Sequence, residues 1–130
     1  MSTTPDRRAA ARARAELARR GEAAAADHLR EQGYRILAAN LRVGDDEADL
    51  LALAPTGALV VVEVKTRAGP WHPEDRVDQV KRHRLVRLAT ALSREPAWSD
   101  RMLQFDVVAV EAPPSAPLRV LHYPHAFDAG

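Results

Sequence analysis

The spacing of apolar and polar positions along the 130-residue chain predicts two helices and five strands. An Ala- and Leu-rich stretch with helical periodicity predicts a first helix over residues 12–32, ended by Gly33. Short runs with β-branched and alternating apolar residues predict the strands. In chain order these are residues 34–42, 47–54, 58–66, 102–111 and 118–123, with a second helix over 73–94 starting near Pro73. The order αβββαββ is typical of an α/β domain with a mixed sheet flanked by helices.

A hairpin between the second and third strands brings four charged positions together. The segment 55–57, Pro-Thr-Gly, predicts the turn. With the turn centred on its middle residue, the numbers of facing residues add to about 112, which sets two pairs opposite each other: Asp49 with Glu63, and Glu47 with Lys65. The even positions of both strands, 48–54 and 60–64, are apolar and predict a core face.

Composition narrows the class of protein. Hydrophobic residues make up 46% and charged residues 28% of the chain, as in ordinary globular domains. The chain has no cysteine, which excludes disulfides, a thiol nucleophile and thiolate metal ligands. No apolar run approaches the ~18 residues of a transmembrane helix, and no segment resembles a signal peptide. We therefore expect a cytoplasmic protein without a membrane partner.

Charge is unevenly distributed along the chain. The formal net charge is +1, but residues 1–20 hold six arginines against Asp6 and Glu16, which gives +4. Residues 21–130 hold 13 basic against 16 acidic residues, which gives −3. We expect residues 21–130 to form a single domain and residues 1–20 to form a basic arm or an extension of the first helix. An arm would contact nucleic-acid phosphates, whereas an extension would simply be solvated helix.

The basic residues include only two lysines, Lys65 and Lys81, against 17 arginines. Two carboxylates ~5 Å apart, as predicted for Asp49 and Glu63, repel unless a cation lies between them. Mg²⁺ or Mn²⁺ would accept these carboxylates together with the backbone carbonyl of Val64. Lys65 would then orient or deprotonate a water, or neutralise a phosphate. The alternative is a cross-strand ion pair between Glu47 and Lys65, with Asp49 and Glu63 solvated.

Both predicted helices carry further candidates. Glu22 lies in an otherwise apolar stripe of the first helix, so its carboxylate needs a partner: a metal, a catalytic lysine, Arg20 or a backbone group. Lys81 lies at the edge of the apolar stripe of the second helix. The residues expected to contact nucleic-acid phosphates are Lys81, Arg67, Arg76, Arg82, Arg84 and Arg87. The alternative is a solvated basic face with Lys81 extended to solvent.

A series of short motifs carries a family resemblance. It comprises Gly21-Glu22, Gly33-Tyr34-Arg35, Asn40-Leu41-Arg42, Glu47-Ala48-Asp49-Leu50, Glu63-Val64-Lys65, Lys81 and Phe105-Asp106-Val107-Val108. The spacing from Asp49 to Glu63-Val64-Lys65 matches the D…(D/E)xK pattern of restriction-endonuclease-like proteins. Over residues 20–128 the series resembles the YraN family, also called uncharacterised protein family 0102.

The resemblance implies a restriction-endonuclease-like fold, similar in layout to Holliday-junction resolvases, and a Mg²⁺-dependent phosphodiesterase site. It implies Asp49 and Glu63 as metal ligands and Lys65 as the catalytic lysine. Glu22, as the carboxylate that completes the site, and Glu47, as part of a Glu-x-Asp pair, are the further expected catalytic residues. The family usually reads Gly-Glu-Ile-Asp-Leu, whereas Asp46 and Ala48 replace the glycine and isoleucine here. Asp46 suits a positive-φ turn poorly, and Gly44 lies close enough to take that role.

The sequence therefore predicts a Mg²⁺-dependent nuclease acting on DNA, with branched, flapped or end structures as substrates. A non-catalytic nucleic-acid-binding module with a nuclease fold is one alternative, and a protein-interaction adaptor in DNA processing is another. A homodimer is compatible with each of these.

Overall fold

The computed structural model describes residues 6–70 and 77–128, in which five strands form one mixed sheet between two helices. The elements are α1 (Arg7–Glu31), β1 (Arg35–Val43), β2 (Asp46–Leu53), β3 (Leu59–Arg67), α2 (Gln79–Ser93), β4 (Leu103–Glu111) and β5 (Arg119–Phe127). The strands lie in chain order across the sheet, and only β3 and β4 are parallel. A parallel pair needs a crossover connection, which α2 supplies. The predicted order αβββαββ is confirmed.

Several element boundaries differ from the prediction, and side-chain caps set the starts of both helices. α1 begins at Arg7 rather than near residue 12, since Asp6 accepts a hydrogen bond from the Arg8 amide. α2 begins at Gln79 rather than near Pro73, since the Asp78 carboxylate accepts the Lys81 amide at 2.8 Å. Pro73 itself lies outside the described residues. β5 extends to Phe127, beyond the predicted end at residue 123.

The sheet buries both faces, and each face has its own core. On the α1 side the largest buried side chains are Leu29, Leu50, Val60, Val62 and Val108. On the α2 side they include Leu59, Val61, Leu85, Leu88 and Phe105. Full burial of such a side chain stabilises the fold by about 1.5–3 kcal/mol. Because β3 contributes buried side chains to both cores, packing on both faces stabilises this central strand. The predicted even core face holds except for Ala48, which packs on the α2 side.

The predicted hairpin register is confirmed where β2 and β3 pair. The pairs run from Leu53–Leu59 to Leu50–Val62, and each adds to the predicted sum of 112. The preceding turn also forms as expected: Gly44 takes a φ of 61°, and Asp46 pairs with Val43 in the strand ladder.

A buried polar cluster links β4 to Tyr34, the residue before β1, and to two histidines of β5. The carboxylate of Asp106, fully buried, accepts hydrogen bonds from the Tyr34 hydroxyl at 3.0 Å and the Gln104 amide at 2.8 Å. It also lies 2.7 Å from His122 Nε2 and accepts the His125 amide at 3.2 Å. Burial acts to raise the pKa of Asp106, but the hydrogen bonds from His122, Gln104 and His125 outweigh it and lower the pKa. These contacts explain how a buried carboxylate is tolerated.

Candidate active site at the open end of the central hairpin

The site begins where the β2–β3 ladder ends. The backbone pairing ends at Leu50–Val62. Beyond it the Asp49 side chain binds β3, since its Oδ2 accepts a hydrogen bond from the backbone amide of Val64 at 2.7 Å. On the other side of β2, Asn40 adopts a left-handed φ of 50°, between the Ala39–Leu50 and Leu41–Ala48 pairs. Here β2 changes face, since Leu50 packs toward α1 and Ala48 toward α2. Asp49 thereby lines a cleft shared with α1.

Helix α1 approaches β3 closely at this end. A Cβ built on Gly21 would lie 1.9 Å from Thr66 Oγ1 and 2.9 Å from two carbons of the same side chain, so only glycine allows this approach. The next residue, Glu22, lines the cleft. Its Oε2 accepts a hydrogen bond from Asn40 Nδ2 at 3.2 Å, which orients the carboxylate.

Both lysines of the chain approach one buried carboxylate. Glu63 is 6% exposed; its Oε1 lies 3.8 Å from Lys65 Nζ, on the same face of β3, and its Oε2 lies 3.5 Å from Lys81 Nζ on α2. The Oε2 atom is buried and makes no hydrogen bond with any residue that the structure describes. The tertiary structure therefore leaves Glu63 with two nearby cations and one unsatisfied oxygen.

Electrostatics couples the carboxylates. Burial, with a further contribution from the Asp49 charge, raises the pKa of Glu63 to about 7, although Lys81 and Lys65 act in the opposite direction. Burial also raises the pKa of Asp49, against the Val64 hydrogen bond and the charge of Lys81. The pKa of Glu22 is raised by burial and by the charges of Asp49 and Glu47, against the hydrogen bond from Asn40. The charge of Asp49 thus opposes ionisation of Glu63, whereas the charges of Lys81 and Lys65 favour it.

A hard cation would relieve the repulsion between Asp49 and Glu63. The donors available are carboxylate oxygens, including the unsatisfied Oε2 of Glu63, and these suit Mg²⁺ or Mn²⁺. Within residues 6–70 and 77–128, no group of three or more His, Cys, Asp or Glu side chains is arranged to hold a metal ion. Mg²⁺ commonly takes only one or two protein carboxylates and completes its shell with water and substrate phosphate. Asp49 and Glu63 fit that limited role.

The remaining residues predicted for the hairpin site take different positions. Glu47 lies 3.6 Å from Arg42 on the neighbouring strand, and its side chain is 41% exposed. Val64 contributes its amide to Asp49, and the metal-binding role of its carbonyl stays a prediction. The structure differs from the alternative of a Glu47–Lys65 pair with solvated carboxylates, because Lys65 pairs with a buried Glu63.

Within the described residues, the predicted phosphate-binding side chains make different contacts. Lys81 points to Glu63, and Arg67 lines the cleft beside Asp49. Arg82 lies over the Phe127 ring, 5.3 Å from its centroid, and Arg87 makes two 2.7 Å hydrogen bonds to Asp46. Arg84 is exposed, and Arg76 lies outside the described residues. Intramolecular contacts thus engage Arg82 and Arg87, and nucleic-acid binding by these side chains stays a prediction.

Sequence reasoning assigned no role to Asn40 or Arg14. Asn40 was visible as a polar residue within an apolar strand, and Asn tolerates the left-handed conformation found there. Its partner Glu22 is distant in sequence, so the hydrogen bond was not foreseeable. Arg14 lines the same cleft as Glu22, two helical turns earlier on α1.

Fold and site together define a small α/β domain with a cluster of carboxylates and lysines at one end of a mixed sheet. The family model described as "Uncharacterised protein family UPF0102" matches residues 21–110, and the chain belongs to this family. It is 42% identical to a UPF0102 protein of Rhodopirellula baltica, over 88% of this chain and 72% of that protein. It is also 42% identical to one of Symbiobacterium thermophilum, over 84% and 93% respectively. The predicted family is therefore confirmed.

Neither helix in the described ranges is long and apolar enough to cross a bilayer.

Proposed function

We propose that this protein is a metal-dependent nuclease that hydrolyses phosphodiester bonds in DNA, with branched, flapped or end structures as substrates. The observation that carries the proposal is the approach of both lysines to buried Glu63, beside Asp49. A buried carboxylate beside a half-buried one, both with raised pKa values and with lysines nearby in a cleft, is typical of a functional site. The D…(D/E)xK spacing and the αβββαββ order both favour the endonuclease-like assignment.

Asp49 and Glu63 would hold Mg²⁺ or Mn²⁺, which when bound supplies positive charge to the phosphate undergoing attack. Lys65 directs a compact ammonium group into the same space, where it holds the attacking water or neutralises the phosphate. Lys81 favours the ionised form of Glu63, which burial opposes. Glu22, oriented by Asn40, has a raised pKa that suits it to accept a proton from water. A contact or a charge within the site supports each of these proposed roles.

The test is cleavage of labelled four-way junctions, flaps, splayed duplexes and single strands, with Mg²⁺, with Mn²⁺ and with EDTA. We expect cleavage of at least one structured DNA that needs the metal and is lost in Asp49→Ala and Lys65→Ala. Asp45→Asn, an exposed carboxylate in the nearby turn, is the control and should retain activity. Circular dichroism checks that each variant folds. Cleavage that persists in EDTA, or in either site variant, would overturn the proposal.

A non-catalytic nucleic-acid-binding module is the second candidate. It is favoured by one observation: the described residues do not preassemble a metal site with three or more side-chain ligands. This function predicts salt-dependent DNA binding that needs no metal and is insensitive to Glu63→Gln. It also predicts no cleavage of any DNA in the panel.

A further inference from the structure

The first half of α1 extends beyond the part of the helix that packs on the sheet. The buried residues of α1 begin only at Gly21, whereas all six arginines that precede it, within residues 7–20, are exposed. Those 14 residues form about 21 Å of continuous helix. They lie outside the family match, which begins at residue 21.

One face of this segment forms a wall of the carboxylate cleft. The cleft has a volume of about 550 Å³. From α1 it is lined by Arg14, Leu17, Ala18 and Glu22, and from β3 and the following residues by Thr66, Arg67, Ala68 and Gly69. Asp49 and buried Glu63, with its unsatisfied oxygen, also line the cleft. The cleft thus joins an exposed basic helix to the site proposed for catalysis.

Helix geometry selects which arginines face the cleft. At about 100° per residue, Arg7 lies within about 20° of Arg14, on the stripe that continues through Ala18, Gly21 and Ala25. Arg12 and Arg20 lie about 160° and about 120° away from Arg14, on the outer side of the helix. Arg14 therefore lines the cleft, and Arg7 lies two turns before it on the same side of α1.

We propose that Arg7 and Arg14 form a track that binds the phosphates of a DNA strand and leads it along α1 toward Glu22, Asp49 and Glu63. Guanidinium groups bind phosphate oxygens through paired hydrogen bonds, and segment 1–20 carries a charge of +4. The residues lining the cleft are aliphatic, small, hydroxyl-bearing or charged, so the described wall suits the backbone rather than stacked bases. This proposal rests on the proposed nuclease function only in naming the catalytic carboxylates as the place to which the strand is led.

The test measures binding in EDTA, which separates the track from catalysis. Fluorescence anisotropy with a labelled DNA strand, and with its duplex, compares two variants of equal charge: Arg7→Ala/Arg14→Ala and Arg12→Ala/Arg20→Ala. All four positions are exposed on the same helix. The Arg12→Ala/Arg20→Ala variant, the outer pair, is therefore a matched control for charge and helix content. Helicity is checked by circular dichroism.

The Arg7→Ala/Arg14→Ala variant, the inner pair, should bind DNA about tenfold or more weakly than wild type. For the single strand, its slope of log K against log salt should be less negative by about 1.4. The outer pair should change both values much less. Equal losses in the two variants, or an unchanged slope in the inner pair, would overturn the track. A strong preference for one base sequence would overturn backbone recognition. Loss of binding in the inner pair of a protein that cleaves no DNA would support the track while the nuclease proposal fails.

Discussion

Because the pKa of Glu63 is raised, the substitution Glu63→Gln measures how much the ionised carboxylate destabilises the folded protein. In the folded protein the carboxyl has a pKa of about 7, against an ordinary value of 4.5. Between these values the folded state binds more protons than the unfolded state, so stability falls as pH rises. The contribution of the protonated group is fully present below pH 4.5 and is lost as pH rises through about 7. Glutamine resembles the protonated carboxyl in shape and is uncharged at every pH.

The size of the effect follows from the two pKa values. A change from 4.5 to about 7 corresponds to about 3 kcal/mol, at about 1.4 kcal/mol per pH unit. Glu63 is only 6% exposed, so solvent screens this energy little. Relative to wild type, Glu63→Gln should therefore stabilise the protein by about 3 kcal/mol at pH 8 and by less than about 1 kcal/mol at pH 5.

Urea denaturation followed by circular dichroism, in EDTA at pH 5 and pH 8, measures both differences. Glu95→Gln makes the same chemical change at an exposed position, and we expect it to leave stability nearly unchanged at both pH values. A Glu63→Gln protein that is less stable than wild type at pH 8 would refute the reasoning. That result would mean that Lys65 and Lys81 stabilise the buried carboxylate by more than burial and Asp49 destabilise it.

Two further substitutions test the packing that positions the site. Gly21→Ala should destabilise the protein by about 1–3 kcal/mol in urea denaturation, because the new Cβ meets the Thr66 side chain, and Thr66→Ala should lessen the loss. A gain in stability, as helix propensity alone predicts, would disprove the close approach. Asp106→Asn should cost about 2–3 kcal/mol at pH 7, and because the pKa of Asp106 is lowered, the difference should shrink as pH falls below its ordinary value of 3.8. Asp45→Asn, at an exposed turn, should show neither effect, and an equal loss there would contradict the buried-cluster explanation.

Local sequence signals were sufficient for the element order and the hairpin. Alternating apolar positions and the turn at 55–57 set the β2–β3 register, because side chains alternate faces and a one-residue slip would expose the core. Asp49, Glu63 and Lys65 were identifiable for the same reason: they lie on the two strands of one hairpin. The start of α2 differs from the prediction near Pro73, because the helix begins at Gln79 with the Asp78 side chain as its cap.

The amino-acid sequence by itself determined the αβββαββ order, the hairpin register and the family, because these depend on short-range periodicity and on motifs. The tertiary structure alone decided that Lys81 from α2 approaches Glu63, that Glu22 from α1 lines the same cleft as Glu63, and that Asn40 from β1 binds Glu22. It also decided that Arg87 binds Asp46, because that contact depends on how α2 lies on the sheet. The physical reason is that helix placement follows from packing against both faces of β3, and no local pattern encodes which polar side chains this packing brings together.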